Sequence, residues 1–158
     1  MASMRRHDRE LTEKRDLLAI LEEADVCRIA VNTAAAPYII PLNFGFTWDD
    51  RLTLYFHSAA EGRKIDLLRI DNRVGFEIDT AHELVRSEKA CEWSMKFKSV
   101  VGIGRIYFLT DENERVTALH AILQKYGFNG RGMFAQETLK RMAIYKLEAE
   151  EVSAKQKR

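Results

Sequence analysis

A chain of 158 residues, 46% of them hydrophobic, is long enough to bury one core and short for two domains. Its 25 basic and 24 acidic residues nearly cancel, which argues against the excess positive charge typical of nucleic-acid-binding proteins. The longest apolar runs, such as 38–42, are far shorter than the roughly 20 residues that cross a bilayer. We therefore expect a single domain over residues 1–158 that binds neither nucleic acid nor a membrane.

The N-terminus and the cysteines indicate the compartment. The N-terminal sequence MASMRRHDRELTEKRD is charged and no apolar segment follows it, so it does not resemble a secretory signal. Cys27 and Cys91 are far apart and form no CxxC pair, which suits two ordinary thiols in a reducing compartment. The histidines other than His57 have no metal-ligand spacing, so no metal is predicted. These features predict a cytoplasmic protein.

The residue pattern predicts strands more often than helices. Apolar side chains at helical spacing, with Thr12 as a cap, predict a first helix over 12–24. Similar patterns predict three more: a short helix from Gly62 to 71–72, 111–126 and 134–141. Segments rich in β-branched and aromatic residues predict about six strands: 26–31, 38–46, 52–57, 74–78, 99–110 and 143–147, the last continuing towards 152. This order indicates a mainly β (α+β) protein built as a small barrel, because closure removes exposed sheet edges.

The densest chemistry lies in the segment HSAAEGRK, residues 57–64, where a predicted strand meets a predicted helix. Helix N-termini present unpaired N–H groups and about half a positive charge. Gly62 permits a close backbone approach, and Ser58, Arg63 and Lys64 add donors, a set that suits a terminal phosphate. The same residues also fit a solvated basic helix start, and both interpretations stay open. The Walker pattern GxxxxGK[ST] is missing.

A phosphate alone binds too weakly to explain a micromolar ligand. Two or three charge-assisted hydrogen bonds of roughly 1.5–3 kcal/mol each barely reach the roughly 8 kcal/mol required. A large flat ring would supply the remaining apolar surface, and the segment 39–46 offers apolar walls for it. Pro41 cannot donate to a sheet ladder, so it predicts an edge or bulge beside a ligand or a second subunit.

Four blocks in this order resemble a known family: PYIIPLNFGF, LYFHSAAEGRKIDLL, VGFEID and HELVRSEKACEWSMKFKSVVGIGRIYFL. The sequence resembles the pyridoxamine 5′-phosphate oxidase-related FMN-binding split barrels, and within them it is most similar to the 5-nitroimidazole-resistance (Nim) nitroreductase group. The resemblance runs from about Met4 to beyond Tyr107. It implies a six-stranded antiparallel split β-barrel with a few peripheral helices, and a homodimer that binds two FMN molecules at its interface.

The resemblance also assigns roles to residues. It implies that the ribityl phosphate is held by His57, Ser58, Ala59, Arg63 and Lys64. It implies that the isoalloxazine is lined by Leu42, Asn43 and Phe44, beside Pro41, and that Ser99 and Val100 complete the cofactor site, either from the same subunit or from the other. His57 is the position it singles out for catalysis, with a hydrogen bond at a strand end as the alternative. Trp93 and Met95 alternate in a run that either covers the open face of the flavin or packs in the core or a dimer contact.

The C-terminus separates this chain from the oxidases proper. Those enzymes recognise pyridoxal through a C-terminal segment with Trp and Arg, whereas this chain ends EAEEVSAKQKR and has no Trp after Trp93. We therefore do not expect oxidation of pyridoxamine phosphate. The resemblance implies an FMN-dependent oxidoreductase that takes electrons from NAD(P)H or another reductant and passes them to a nitroaromatic or quinone-like acceptor. The alternative is a non-catalytic flavin or haem carrier.

Overall fold

In the computed structural model of the protein, which describes residues 5–130 and 132–158, the strands form one antiparallel sheet. The described residues contain eight strands: β1 (Glu10–Leu11), β2 (Cys27–Val31), β3 (Tyr38–Leu42), β4 (Gly45–Trp48), β5 (Leu52–Ala59), β6 (Arg73–Val85), β7 (Ser94–Phe108) and β8 (Met142–Lys157). The helices are α1 (Lys14–Glu23), α2 (Arg63–Ile70), α3 (Glu112–Lys125) and α4 (Gln136–Lys140). The strand order is β3-β2-β6-β7-β8-β5-β4, and β1 pairs with β8.

The two edges of this sheet are consecutive in the chain. β3 and β4 stand at opposite ends of the strand order, yet only Asn43 and Phe44 separate them. Three Cα–Cα steps span at most about 11 Å, so the sheet has to roll up until its edges approach. The result is a barrel that is split between β3 and β4, which confirms the predicted fold class.

Strand alternation explains the core. Along β2 and β5, every second side chain is buried in the barrel, as the period of two in a β-strand requires. Helices α1 and α2 add Leu17, Ile20, Leu21, Ile65 and Leu68 to this main core. A second cluster lies between α3, α4 and the outer face of β8: Leu109, Ala118, Leu119, Ile122, Leu139 and Ile144. The sheet is therefore covered by helices on part of its outer face only.

The structure corrects several predicted boundaries. The segment 38–46 is two strands rather than one, because the chain leaves one sheet edge at Asn43 and joins the other, which together with β1 gives eight strands instead of six. Helix α1 begins after Glu13 without a side-chain cap, so the prediction for Thr12 is wrong. Asp111 caps α3 by accepting a hydrogen bond from the Glu114 backbone N–H (3.0 Å). No helix in the described ranges is both long and apolar enough to cross a membrane.

The hairpin of β6 and β7 is longer than the residue pattern predicted. The two strands pair from Arg73 to Val85 through a register shift between Thr80 and Glu83. At this bulge Ala81 has a φ of +56°. The hairpin beyond the bulge is rich in charged residues, so its hydrophobic alternation is weak and the sequence alone did not reveal it.

Candidate functional site

The N-terminus of α2 lies directly after the end of β5. Gly62 occupies the N-cap position with a φ of +117°, which residues with a Cβ atom rarely adopt. Its carbonyl accepts hydrogen bonds from the N–H groups of Ile65 (2.8 Å) and Asp66 (3.2 Å), and no side chain caps the helix. A Cβ atom at Gly62 would meet nothing within 4 Å. The first turn of α2 therefore presents N–H groups in an open position, where an anion can bind them.

Two cations stand in this first turn and differ in their surroundings. The guanidinium of Arg63 lies over the ring of Tyr38, 4.7 Å from the ring centroid. Lys64 is half-buried, and burial lowers the pKa of its ammonium group. A partly desolvated ammonium gains more from an anion than a fully hydrated one does. A planar guanidinium and a point charge beside free N–H groups form a donor set that fits a phosphate dianion.

His57 lies near the end of β5, beside the N-terminus of α2. β4 pairs with Leu52–Tyr55 only, so the last residues of β5 have β8 on one side and the split of the barrel on the other. His57 is half-buried, and its Nδ1 is buried without a hydrogen-bond partner. Burial and, secondly, the charge of Lys64 lower the pKa of His57, so its imidazole is neutral at pH 7. Ser58 donates its hydroxyl hydrogen to the Ala59 carbonyl (3.0 Å).

β3 forms the opposite edge of the split. Pro41 is exposed on this edge strand, as its missing N–H group predicts. Leu42 is half-buried. The Asn43 amide nitrogen donates to the Asp25 carbonyl (3.0 Å) and to the Tyr126 hydroxyl (3.2 Å). The Asn43 side chain therefore ties this edge of the split to the loop after α1 through its amide nitrogen. The amide oxygen of Asn43 is the group that remains for a ligand.

Phe44 and Val100 need a correction, because both side chains are fully buried in the main core. The Phe44 ring packs under the Lys125 ammonium, 4.7 Å from the ring centroid. Neither side chain can contact a ligand, so only their backbone groups are available to one. The packing of the barrel at the split explains this, since Phe44 turns inward where the chain passes from β3 to β4.

Ser99 does not join the α2 N-terminus within one chain. Ser99 is 7% exposed and pairs with Lys155 on β8, whereas Ser58 pairs with Ala143 at the other end of that strand. Of the two arrangements that the sequence left open, a contribution from a second subunit fits this separation better. The role of Ser99 stays a prediction.

Trp93 and Met95 lie at the tip of the β6–β7 hairpin. They are 50% and 42% exposed, so the alternative of a core position is wrong for both. The Trp93 Nε1–H group donates to the Ser87 carbonyl (2.6 Å), which leaves the indole surface facing solvent. Cover for a flavin or contact with a second subunit remain the open alternatives.

An apolar row crosses the outer face of four strands, formed by Ile39, Ala30, Gly75 and Ile103, which pair in one register on β3, β2, β6 and β7. We call these residues the outer apolar row. Ile39 is 63% exposed and Ile103 is 47% exposed, with Val101 at 42% beside them. Adjacent apolar side chains in solvent mark an interaction surface. The row begins on β3, the strand whose Tyr38 lies under Arg63.

Several residues near the site come there only through the fold, and no pattern in the sequence pointed to them. Tyr38 stacks against Arg63 and Tyr126 contacts Asn43, and neither tyrosine was assigned a role from the sequence. A cleft of about 550 Å³ beside His57 is lined from α4 and the start of β8 by Glu137, Thr138, Arg141 and Met142. The helix predicted over 134–141 covers α4, but nothing in the sequence indicated that this helix lies beside His57. Among the described residues, no three His, Cys, Asp or Glu side chains are placed to share a metal ion.

Comparisons with known proteins agree with this geometry. Among solved structures, a candidate 5-nitroimidazole antibiotic resistance protein from Bacteroides thetaiotaomicron VPI-5482 is 28% identical, with a TM-score of 0.80 over 92% of this chain and 85% of that one. The flavocytochrome Anf3 from Azotobacter vinelandii (20% identity, TM-score 0.78, 99% of this chain and 72% of that one) shares the fold. A FAD- and haem-binding protein from Mycobacterium smegmatis shares it too (17% identity, TM-score 0.81, 94% of this chain and 73% of that one).

The family comparison covers nearly the whole sequence. No curated protein matches the chain significantly. The family model of the pyridoxamine 5′-phosphate oxidases, in contrast, matches residues 13–156, which include α1 to α4, β2 to β7 and all of β8 except its last residue, Lys157. This match confirms the resemblance that the four sequence blocks indicated. The chain therefore belongs to the pyridoxamine 5′-phosphate oxidase family.

Proposed function

We propose that this protein binds FMN at the N-terminus of α2 and acts as an oxidoreductase that reduces a small acceptor, such as a nitroaromatic or a quinone-like compound. The observation that carries the proposal is the uncapped first turn of α2, with Gly62, Arg63 and Lys64 in sequence and His57 beside them. Family membership supports a flavin as the ligand. The similarity to a candidate nitroimidazole resistance protein supports the acceptor class.

Each residue of this site has a distinct task in the proposal. Arg63, held on Tyr38, orients two phosphate oxygens, and Lys64 neutralises the remaining charge. Ser58 turns its hydroxyl from the Ala59 carbonyl towards a phosphate oxygen. The neutral imidazole of His57 can donate or accept a hydrogen bond at the ligand. The flavin, when bound, supplies the electron chemistry, and the protein positions it and excludes water.

FMN is favoured over FAD by charge. FMN ends in a phosphate monoester that approaches a dianion at pH 7, whereas each phosphate of the FAD pyrophosphate carries a single charge. A guanidinium, an ammonium and the free N–H groups of α2 concentrate positive potential at one point, which suits the monoester. Solved structures that share the fold include FAD-binding proteins, so both flavins belong in the test.

The proposal places the flavin ring between two copies of this chain. The ring needs an apolar cover, and the outer apolar row begins on β3 next to the proposed phosphate site. A second copy packed on this row would bury the exposed side chains of Ile39 and Ile103. It would also let Ser99, Trp93 and Met95 of one subunit reach the flavin of the other. In this proposal the active form is a homodimer, and NAD(P)H is the reductant.

The test is the absorbance spectrum of the purified protein after incubation with FMN and desalting. Riboflavin, FAD and haem serve as parallel ligands. We expect retained oxidised-flavin bands, strongest with FMN, and then flavin-dependent consumption of NAD(P)H with a nitroaromatic or a quinone. Loss of all flavin on desalting contradicts the proposal. Retained flavin or haem without turnover favours the non-catalytic carrier.

A further inference from the structure

The cleft beside His57 adjoins the proposed phosphate site, with which it shares His57, Ser58 and Ala59, and extends beyond it to Glu137, Thr138, Arg141 and Met142. Its walls are the end of β5 on one side and α4 with the start of β8 on the other. Its volume of about 550 Å³ falls in the range of small-molecule pockets, roughly 300–1,000 Å³. Thr138 supplies a hydroxyl and Met142 an apolar surface, so the cleft suits a small ring that carries a polar group.

Arg141 gives the cleft an uncompensated positive charge. Among the described residues, its guanidinium has no hydrogen bond or ion pair. The acidic residue of the cleft, Glu137, is already paired with Lys140 (3.2 Å). His57 adds no charge at pH 7, because burial and the neighbouring Lys64 keep its imidazole neutral. The cleft therefore attracts an anion more than a cation.

His57, which lines the cleft, carries a polar atom without a partner in the part of the chain that the structure describes. Nδ1 of His57 is buried and has no hydrogen-bond partner in the described structure. A buried polar atom without a partner costs free energy, and native structures usually satisfy such an atom with protein, water or ligand. A molecule bound in the cleft would supply the missing hydrogen bond once the His57 ring turns Nδ1 towards it.

The wall that carries Arg141 is held in place by the protein itself. The guanidinium of Arg115 donates to the backbone carbonyls of Leu109 (3.1 Å), Leu139 (2.5 Å) and Met142 (3.1 Å). These carbonyls belong to the segments after β7, in α4 and at the start of β8. Arg115 thus ties α4 to the sheet, and the cleft exists before any ligand binds.

We infer that this cleft binds the electron acceptor and that Arg141 selects acceptors that carry a carboxylate or a similar anionic group on a small ring. The role as acceptor site rests on the proposed function, whereas anion binding in the cleft does not require a flavin. Arg141 is the specificity-determining residue, Thr138 lines the ring, and His57 hydrogen-bonds the polar substituent.

The test uses two probes of similar shape and different charge, 4-fluorobenzoate and 4-fluorobenzamide, titrated into the full-length protein and followed by ¹⁹F NMR. We expect the benzoate to bind at least about tenfold more tightly, the strength of one charge-assisted hydrogen bond. Arg141→Ala should remove this preference and Arg141→Lys should restore part of it. The matched control is Arg15→Ala on α1, whose side chain is 84% exposed and outside the cleft.

The outcomes separate this inference from the proposed function. Equal binding of the two probes, or a benzoate preference that survives Arg141→Ala, overturns the anion site, whether or not flavin binds. Benzoate selectivity in a protein that retains no flavin upholds the anion site and contradicts the flavoprotein. With flavin bound, the KM for 4-nitrobenzoate should rise at least about tenfold in Arg141→Ala, while the KM for 4-nitrobenzamide stays constant. A change in kcat alone for both acceptors contradicts a role for Arg141 in acceptor binding.

Discussion

The guanidinium of Arg63 stacks on the ring of Tyr38, 4.7 Å from guanidinium carbon to ring centroid, and so links the start of α2 to the edge strand β3. Stacking holds the planar guanidinium in one orientation, so the side chain loses less freedom when it binds an anion. The two sides of the split barrel thus meet at the proposed phosphate site. This contact makes Arg63 and Lys64 the first residues to test.

Replacing Arg63 and Lys64 together by Ala should weaken FMN binding by about a hundredfold or more, because two charge-assisted hydrogen bonds are lost. Riboflavin lacks the phosphate, so its affinity should change by less than about threefold. Dissociation constants from flavin fluorescence quenching provide the measurement. Arg69→Ala, in the last turn of the same helix, is the control and should leave both affinities unchanged. Equal losses for FMN and riboflavin would place the phosphate elsewhere.

The pKa of His57 predicts a pH dependence of stability. Burial and then Lys64 lower its folded-state pKa below the usual value near 6.5. Between these two pKa values the unfolded chain binds more protons, so the free energy of unfolding rises with pH through this window and is unaffected above it. Urea unfolding of the ligand-free protein from pH 5 to pH 8 should therefore show that wild type loses stability relative to His57→Gln as the pH falls below about 6.5.

The Lys64→Met variant tests whether the charge of Lys64 contributes to the lowered pKa of His57. Removing this charge should move the midpoint of the pH dependence upwards, towards the usual histidine value, because one of the two depressing effects is gone. The burial of His57 would still hold the midpoint below about 6.5. A stability difference between wild type and His57→Gln that is the same at every pH would show that His57 is not the titrating group.

Ile103→Lys should disrupt the proposed dimer. Ile103 is 47% exposed in the outer apolar row, and a lysine there would place a charge inside an apolar interface. Sedimentation velocity should show a monomer, and flavin should be released because half of its cover is lost. Ile70→Lys is the matched control, since Ile70 is 83% exposed at the end of α2 and outside the row. A flavin-loaded monomer in the Ile103→Lys variant would contradict an interface site.

Gly45→Ala should destabilise the protein, because an added Cβ would lie 2.4 Å from the backbone of Ala121 and Ile122 in α3. Overpacking of this kind costs about 1–3 kcal/mol, measured by urea unfolding. Gly75→Ala is the paired control, since its Cβ would meet no atom closer than 3.9 Å. We expect the control to be neutral or slightly stabilising. Equal stability of the two variants would show that α3 packs less closely on β4.

Local features could be predicted from the sequence. The start of α2 can be predicted from residues that are neighbours in the chain. Gly62 adopts a positive φ without steric strain, and Arg63 and Lys64 occupy the first turn. Asp111 likewise caps α3 through a hydrogen bond three residues along the chain. The candidate phosphate site was visible for the same reason, since its donors lie within a few residues of one another. Such short-range patterns can be recognised in the sequence without knowledge of the fold.

The sequence by itself determined the family, the order of the main strands and helices and the position of the candidate phosphate segment. Tertiary structure alone decided that the stretch 38–46 divides at Asn43, because the choice between one strand and two depends on which sheet edge each half meets. It also decided the burial of Phe44, the outer apolar row and the cleft between His57 and Arg141, whose residues are far apart in the chain. These features arise when the sheet rolls up, because side chains from distant strands become neighbours only then, and no local periodicity encodes that contact.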